Sequence, residues 1–161
     1  MSDPDLAPST ELLGRELPDP RFVDDRYLHW LYRENPYGPA YEAQVDDDGV
    51  RVAHYALIPQ EYRDARGPVP CVFSLNAVVR SGTQRQGYFT KIGLELYDRA
   101  AADGRRFAVG VCNAKSIGAV TKYMGWKNVG PLPSTAARTP RPKKRSSAGP
   151  SSTISGARPR K

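Results

Sequence analysis

The stretch of this chain best suited to chemistry runs CVFSLNAVV (71–79), RSGTQRQG (80–87) and YFTKIGLELY (88–97): a strand pattern, a glycine-containing turn and a helix pattern. A helix start leaves about four backbone N–H groups without intrahelical acceptors, and with the helix dipole they attract phosphate. Gly87 has no side chain to hold an anion away from the backbone, and Arg80 and Arg85 bring positive charge to the turn. These residues predict an anion site. Tight turns favour Gly, Ser and Thr on conformational grounds alone, so a purely structural turn stays open on the residues themselves.

The elements that must position this turn are legible on both sides of it. Asp24 or Asp25 caps a helix with Leu28, Leu31 and Tyr32 on one face, ended by Asn35-Pro36. The runs AYEAQV and VRVAHYALI flank Asp46–Gly49 and read as a β-hairpin. Pro59 then opens a polar loop through Gly67-Pro68, and in the next strand Cys71, Phe73, Leu75, Ala77 and Val79 alternate onto one face. Phe89, Ile92, Leu96 and Ala100 recur at helical spacing until Asp103-Gly104. FAVGVC is a short strand, Asn113 caps a helix carrying Ile117, Val120 and Met124, and a last strand is expected around Trp126 to Leu132. The order predicts an α/β (α+β) fold with a mixed sheet and a βαβ unit, and no internal repeat.

At 161 residues, 39% hydrophobic and 25% charged, the chain suits one small domain. The net charge of +7 is unevenly spread: residues 134–161 carry eight Lys or Arg and no acid, so the remainder is slightly negative. Any nucleic-acid partner would therefore engage the tail, which has no aromatic residue for base stacking. Residues 1–20, with Pro4, Pro8, Pro18 and Pro20, read as a flexible arm, and 134–161 as a disordered basic tail. No apolar run reaches the roughly 20 residues that span a bilayer, and the start lacks a signal core, so a cytoplasmic location without membrane association is expected. Cys71 and Cys112, with no His cluster nearby, read as free thiols rather than metal ligands.

The run VVRSGTQRQGYFTKI (78–92) resembles the acyl-CoA-binding turn of the GNAT superfamily of N-acetyltransferases, whose pattern is Gln/Arg-x-x-Gly-x-Gly/Ala. Gln84 takes the first position and Gly87 the fourth, while Phe89 replaces the small sixth residue. VGVCNAKSIGAVTKYMGWKNVG resembles the family's strand, Asn, helix and Gly-aromatic ending, here Asn113 and Gly125-Trp126, and LHWLYRENPYGPA with VAHYALIP resembles its opening helix and hairpin. The resemblance covers about Phe22 to Pro133 and implies a GNAT domain at 21–133, a central mixed sheet flanked by helices. It implies that strand 71–79 splays from strand 107–112 and that the pantetheine arm of acetyl-CoA pairs with Ala77, Val78 and Val79. It places the pyrophosphate on the backbone of Gln84, Arg85, Gln86, Gly87, Tyr88, Phe89 and Thr90, and turns Asn113 towards the pantetheine or the departing thiolate. The implied reaction is acetyl transfer from acetyl-CoA to an amine of a small molecule, such as an amino sugar, without a metal.

The acid–base residues are not assigned by the resemblance. Many relatives carry a carboxylate base midway along the strand before the turn, whereas Cys71 to Asn76 contains no Asp or Glu. His54 and Glu61 are base candidates as well as ordinary structural residues. The family's acidic tyrosine lies four residues before the closing glycine, where Thr121 stands; Tyr123 is rotated from that place by about 200° of helix. Tyr27, Trp30 and Tyr32 read either as core or as the wall of an acceptor pocket. GNAT domains end in a further hairpin, yet no strand pattern follows Pro133, so a missing last strand at a truncated end stands beside a native tail. Three functions remain in view: an N-acetyltransferase, a CoA-binding domain without turnover, and a basic-tailed nucleic-acid-binding module. The oligomeric state is open.

Overall fold

The computed structural model describes residues 6–131. The elements are α1 (Ala7–Glu16), a 3-10 turn (Pro20–Val23), α2 (Asp25–Arg33), β1 (Tyr41–Asp47), β2 (Val50–Asp64), β3 (Gly67–Val79), α3 (Tyr88–Ala102), β4 (Ala108–Gly110) and α4 (Ile117–Tyr123). The strands form one sheet in the order β1-β2-β3-β4, antiparallel for the first two pairings and parallel for β3 with β4, which α3 connects. All of these elements lie in a compact unit ending at Asn128; Val129–Pro131, the described part of a second unit, carries no element.

Each face of the sheet has its own core. Tyr55, Leu57 and Val72 on one face pack with Ile92, Leu96 and Ala100 of α3 and with Val120 and Met124 near α4. Ala56, Ile58 and Val78 on the other pack with Leu12 and Leu13 of α1, Phe22, and Leu28 and Tyr32 of α2. Burial on both faces explains the almost continuous apolar reading of β2.

Four expectations change. Residues 1–20 are not a loose arm throughout: Pro8 suits the first turn of α1, and Leu6, Ser9, Thr10 and Leu13 form a buried stripe at helical spacing. Two small polar residues in that stripe hide the periodicity from a hydrophobic reading. The polar loop after Pro59 is instead the continuation of β2 into β3 around Ala65-Arg66, with the Arg66 N–H donating to Asp64 Oδ1 at 2.7 Å. Pro59, Pro68 and Pro70 all fall on one alternate set of pairs (Pro59–Val72, Glu61–Pro70, Arg63–Pro68), so none removes a donor that the ladder requires.

The alternation along β3 also breaks. Phe73, Leu75 and Val78 face α1 and α2, whereas Val72, Ala77 and Val79 face α3, because Asn76 is a bulge residue at φ +53° where the β2–β3 register shifts. Finally, Trp126 to Pro131 form no strand; Gly125 at φ +71° ends α4, and the Trp126 N–H returns to the Val120 carbonyl at 3.2 Å. Leu132 and the basic tail 134–161 lie outside the described residues.

Candidate functional site

The site begins where β3 and β4 part. They pair at Val72–Ala108, Phe73–Val109 and Ser74–Gly110, and β3 runs on to Val79 without a partner strand on that side among the described residues. The Arg80 N–H donates to the Val52 carbonyl at 2.8 Å, which sets the phase of the ladder. Val78, opposite His54, therefore spends its backbone groups on β2, while Val79, opposite Ala53, turns its N–H and C=O into the opening. Of the three residues expected to meet a pantetheine arm, Val79 has the clearest free edge.

The turn above this opening is rich in unpaired donors. Gly82, Arg85 and Gly87 have positive φ, and Gly87 at +77° is the N-cap of α3, without any side-chain cap. The Lys91 N–H donates to the Gly87 carbonyl at 3.0 Å. The backbone N–H groups from Gln84 through Arg85, Gln86, Gly87, Tyr88 and Phe89 to Thr90 meet no acceptor among the described residues. A Cβ on Gly87 would enter open space, so the approach to these N–H groups is clear. Glu16 at the end of α1 braces the turn, accepting from the Ser81 N–H at 3.1 Å and its hydroxyl at 2.7 Å. Although desolvation opposes it, these bonds from Ser81 hold the Glu16 carboxyl below its ordinary range.

Phe89, the bulky sixth residue of the motif, stacks on Tyr55 with ring centroids 5.5 Å apart, so its bulk turns towards the core. Tyr55 in turn joins Ser74 (2.7 Å) and Tyr97 (2.6 Å) through its hydroxyl. Burial pushes both phenols up, so this hydroxyl cluster beside the last β3–β4 pair stays protonated. Asn113 is exposed and uses Oδ1 to accept from the Lys115 and Ser116 N–H groups at 2.9 and 3.0 Å, which leaves its Nδ2 as the donor available to a ligand.

Neither base candidate belongs to this opening. His54 is fully buried on the α1/α2 side, bonded to Ser9 through Nδ1 (3.1 Å) and to the Tyr32 hydroxyl through Nε2 (3.2 Å). Burial, aided by the charges of Arg51 and Arg33, lowers its pKa to about 3, so it is neutral and a weak proton acceptor. Glu61 is exposed opposite Pro70, at the end of β3 remote from the turn. Thr121 donates to the Ile117 carbonyl at 2.7 Å, and Tyr123 is 58% exposed beneath Lys122. Of the aromatics, Tyr32 is core, Trp30 is exposed, and Tyr27 lies between them in exposure. Both cysteines are free, and among the described residues no group of His, Cys, Asp or Glu could hold a metal ion. No helix among those residues is long and apolar enough to cross a membrane.

Sequence reasoning missed Glu16, the Tyr55–Ser74–Tyr97 cluster and the Asn76 bulge. Only Asn76 left a signal, as an asparagine inside a strand pattern.

No protein-family model matches the chain, and no curated protein sequence does. Solved structures do. Glucosamine-6-phosphate N-acetyltransferase from Arabidopsis thaliana is 14% identical with a TM-score of 0.64, over 81% of this chain and 92% of that one. The aminoglycoside 6'-N-acetyltransferase AAC(6')-IG from Acinetobacter haemolyticus is 18% identical with a TM-score of 0.62, over 82% and 91%. A predicted acetyltransferase with acetyl-CoA from Clostridium acetobutylicum is 14% identical with a TM-score of 0.64, over 81% and 90%. The mixed sheet, the parting of β3 from β4 and these neighbours agree: the chain has the GNAT acyltransferase fold.

Proposed function

We propose that this protein is an N-acetyltransferase that moves an acetyl group from acetyl-CoA to an amine of a small molecule. The observation that carries the reading is the row of unpaired N–H groups from Gln84 to Thr90, at the start of α3 and directly after the unpaired end of β3. A pyrophosphate suits those donors, and a pantetheine amide suits the free edge at Val79 with Ala77 beside it. Acetyl-CoA supplies the activated acyl group. The chain supplies orientation through that edge, and donors at Ser74 and Asn113 for charge that develops on oxygen or sulfur. With His54 sealed in the core, the amine arrives in its neutral form or loses its proton to water. Two free cysteines suit a reducing compartment, and we place the protein in the cytoplasm.

A second reading, acetyl-CoA binding without turnover, draws on the burial of His54 and on Thr121, which is bonded to its own helix. Two measurements separate the readings. Calorimetric titration of acetyl-CoA should show saturable binding that Gly87→Glu abolishes, since that change adds an anion to the donor row and a side chain at φ +77°. Thiol release in the presence of amino sugars should then exceed the rate without acceptor. Normal binding by folded Gly87→Glu protein would refute the site, and binding without acceptor-dependent release would leave the second reading standing.

A further inference from the structure

A chain of buried polar groups runs from α1 to the bulge of β3, and the function proposed above makes no use of it. Arg51 Nη1 donates to Ser9 Oγ at 2.7 Å, Ser9 Oγ meets His54 Nδ1 at 3.1 Å, and His54 Nε2 meets the Tyr32 hydroxyl at 3.2 Å. Asn76 Nδ2 completes it, donating to the Tyr32 hydroxyl at 2.7 Å. Ser9, Tyr32, His54 and Asn76 are all buried, and they come from α1, α2, β2 and β3.

The direction of these bonds follows from the chemistry of the groups. Asn76 Nδ2 can only donate, so the Tyr32 oxygen accepts and its O–H is free to donate to His54 Nε2. Nδ1–H then donates to Ser9. Only a neutral imidazole allows this arrangement, because a charged ring would present N–H on both sides and leave the Tyr32 O–H without its acceptor.

We infer that Tyr32, held by His54, is a positioning residue that locks the Asn76 bulge and thereby sets the β3 edge on which the acetyl-CoA arm lies; the second half of this rests on the proposed function. Asn76 adopts φ +53°, a conformation that asparagine tolerates and that a buried side-chain bond makes permanent. The bulge falls two residues past the last β3–β4 pair, and it decides that Ala77 and Val79 share a face and which backbone groups enter the opening. Without the bulge, the phase of the strand beyond Ser74 reverses.

The test compares Asn76→Ala with Asn76→Gly. Glycine adopts positive φ unaided and keeps the bulge without its anchor, whereas alanine has neither the freedom nor the bond. Acetyl-CoA is titrated into each protein after its fold is verified by circular dichroism, and amide exchange without ligand is read at Val78 and Arg80, whose N–H groups bond to β2 beyond the bulge. Asn76→Gly should bind within about three-fold of wild type, while Asn76→Ala should bind about ten-fold more weakly, with exchange raised about ten-fold at Val78 and Arg80 and unchanged at Val72–Ser74. Tyr32→Phe removes the bond but keeps asparagine's tolerance of positive φ, so its loss of affinity should fall between those of Asn76→Gly and Asn76→Ala, and adding it to Asn76→Gly should have no further effect on affinity.

Equal binding by folded Asn76→Ala and Asn76→Gly overturns the positioning role, as does a Tyr32→Phe defect that persists in the Asn76→Gly background. Unchanged exchange in Asn76→Ala overturns the lock itself. A wild-type protein that fails to bind acetyl-CoA, with exchange behaving as expected, overturns the acetyl-CoA reading and leaves the lock intact.

Discussion

Lowering the pH from about 7.5 to about 5 should destabilise the folded chain through His54. In the fold its pKa lies near 3 through burial and the charges of Arg51 and Arg33, whereas in the unfolded chain it is about 6.5. Below pH 6.5 the unfolded state takes up a proton that the folded state refuses, so stability is full above that value and falls as the pH drops towards 3. The slope in this window is about 1.4 kcal/mol per pH unit, which gives a loss of about 2 kcal/mol by pH 5. With a urea dependence of about 2 kcal/mol per molar, the unfolding midpoint should fall by about 1 M. His54→Gln keeps a polar side chain at the position and removes the titration, so its midpoint should change much less over the same interval. His29, exposed beside Glu34 at 3.4 Å, is the same in both proteins and so does not distinguish them. Equal midpoint shifts in the two proteins would refute the argument, because the proton would then be bound elsewhere.

Two further substitutions examine the parts of the chain that hold the site. Leu13→Ala in the fully buried face of α1 should cost about 2–5 kcal/mol in urea unfolding, and an unchanged stability would restore the reading of residues 1–20 as a loose arm. Glu16→Ala removes both bonds to Ser81; amide exchange at Ser81 and Thr83, the bonded amides of the turn, should rise, and acetyl-CoA should bind roughly three- to ten-fold more weakly, with an unaltered turn counting against Glu16 as its brace.

The order of elements from Asp24 to Tyr123 was legible because each carries its own local signal, whereas the strand expected around Trp126 did not form up to Pro131. Asp24 accepts from the Arg26 N–H as a cap, Asp48 and Gly49 have the positive φ of a tight hairpin turn, and Ile92, Leu96 and Ala100 line the buried face of α3. The turn at Gly87 was legible for the same reason, since strand, glycine and helix periodicity are neighbours in sequence. What stayed hidden depends on contacts between distant residues. Ser9 and Thr10 occupy core positions of α1 because His54 and Asp25 wait there as partners, at 3.1 and 2.5 Å, and no period along residues 7–16 announces that. Asn76 bulges because Tyr32, 44 positions away, receives its side chain. His54 is attractive as a base only until its burial is known, for the same imidazole that would titrate near neutrality in water is neutral in the middle of a buried hydrogen-bond chain.

The most direct test of the central claim is a heteronuclear NMR titration of the full chain with acetyl-CoA, following each backbone amide. The donor row predicts that the resonances of Gln84 to Thr90 move most, accompanied by Ala77 and Val79 on the free edge of β3, and that those of Tyr62, Val69 and Phe107 at the far end of the sheet stay in place. Saturable shifts confined to that far end, or none anywhere in the folded protein, would contradict it.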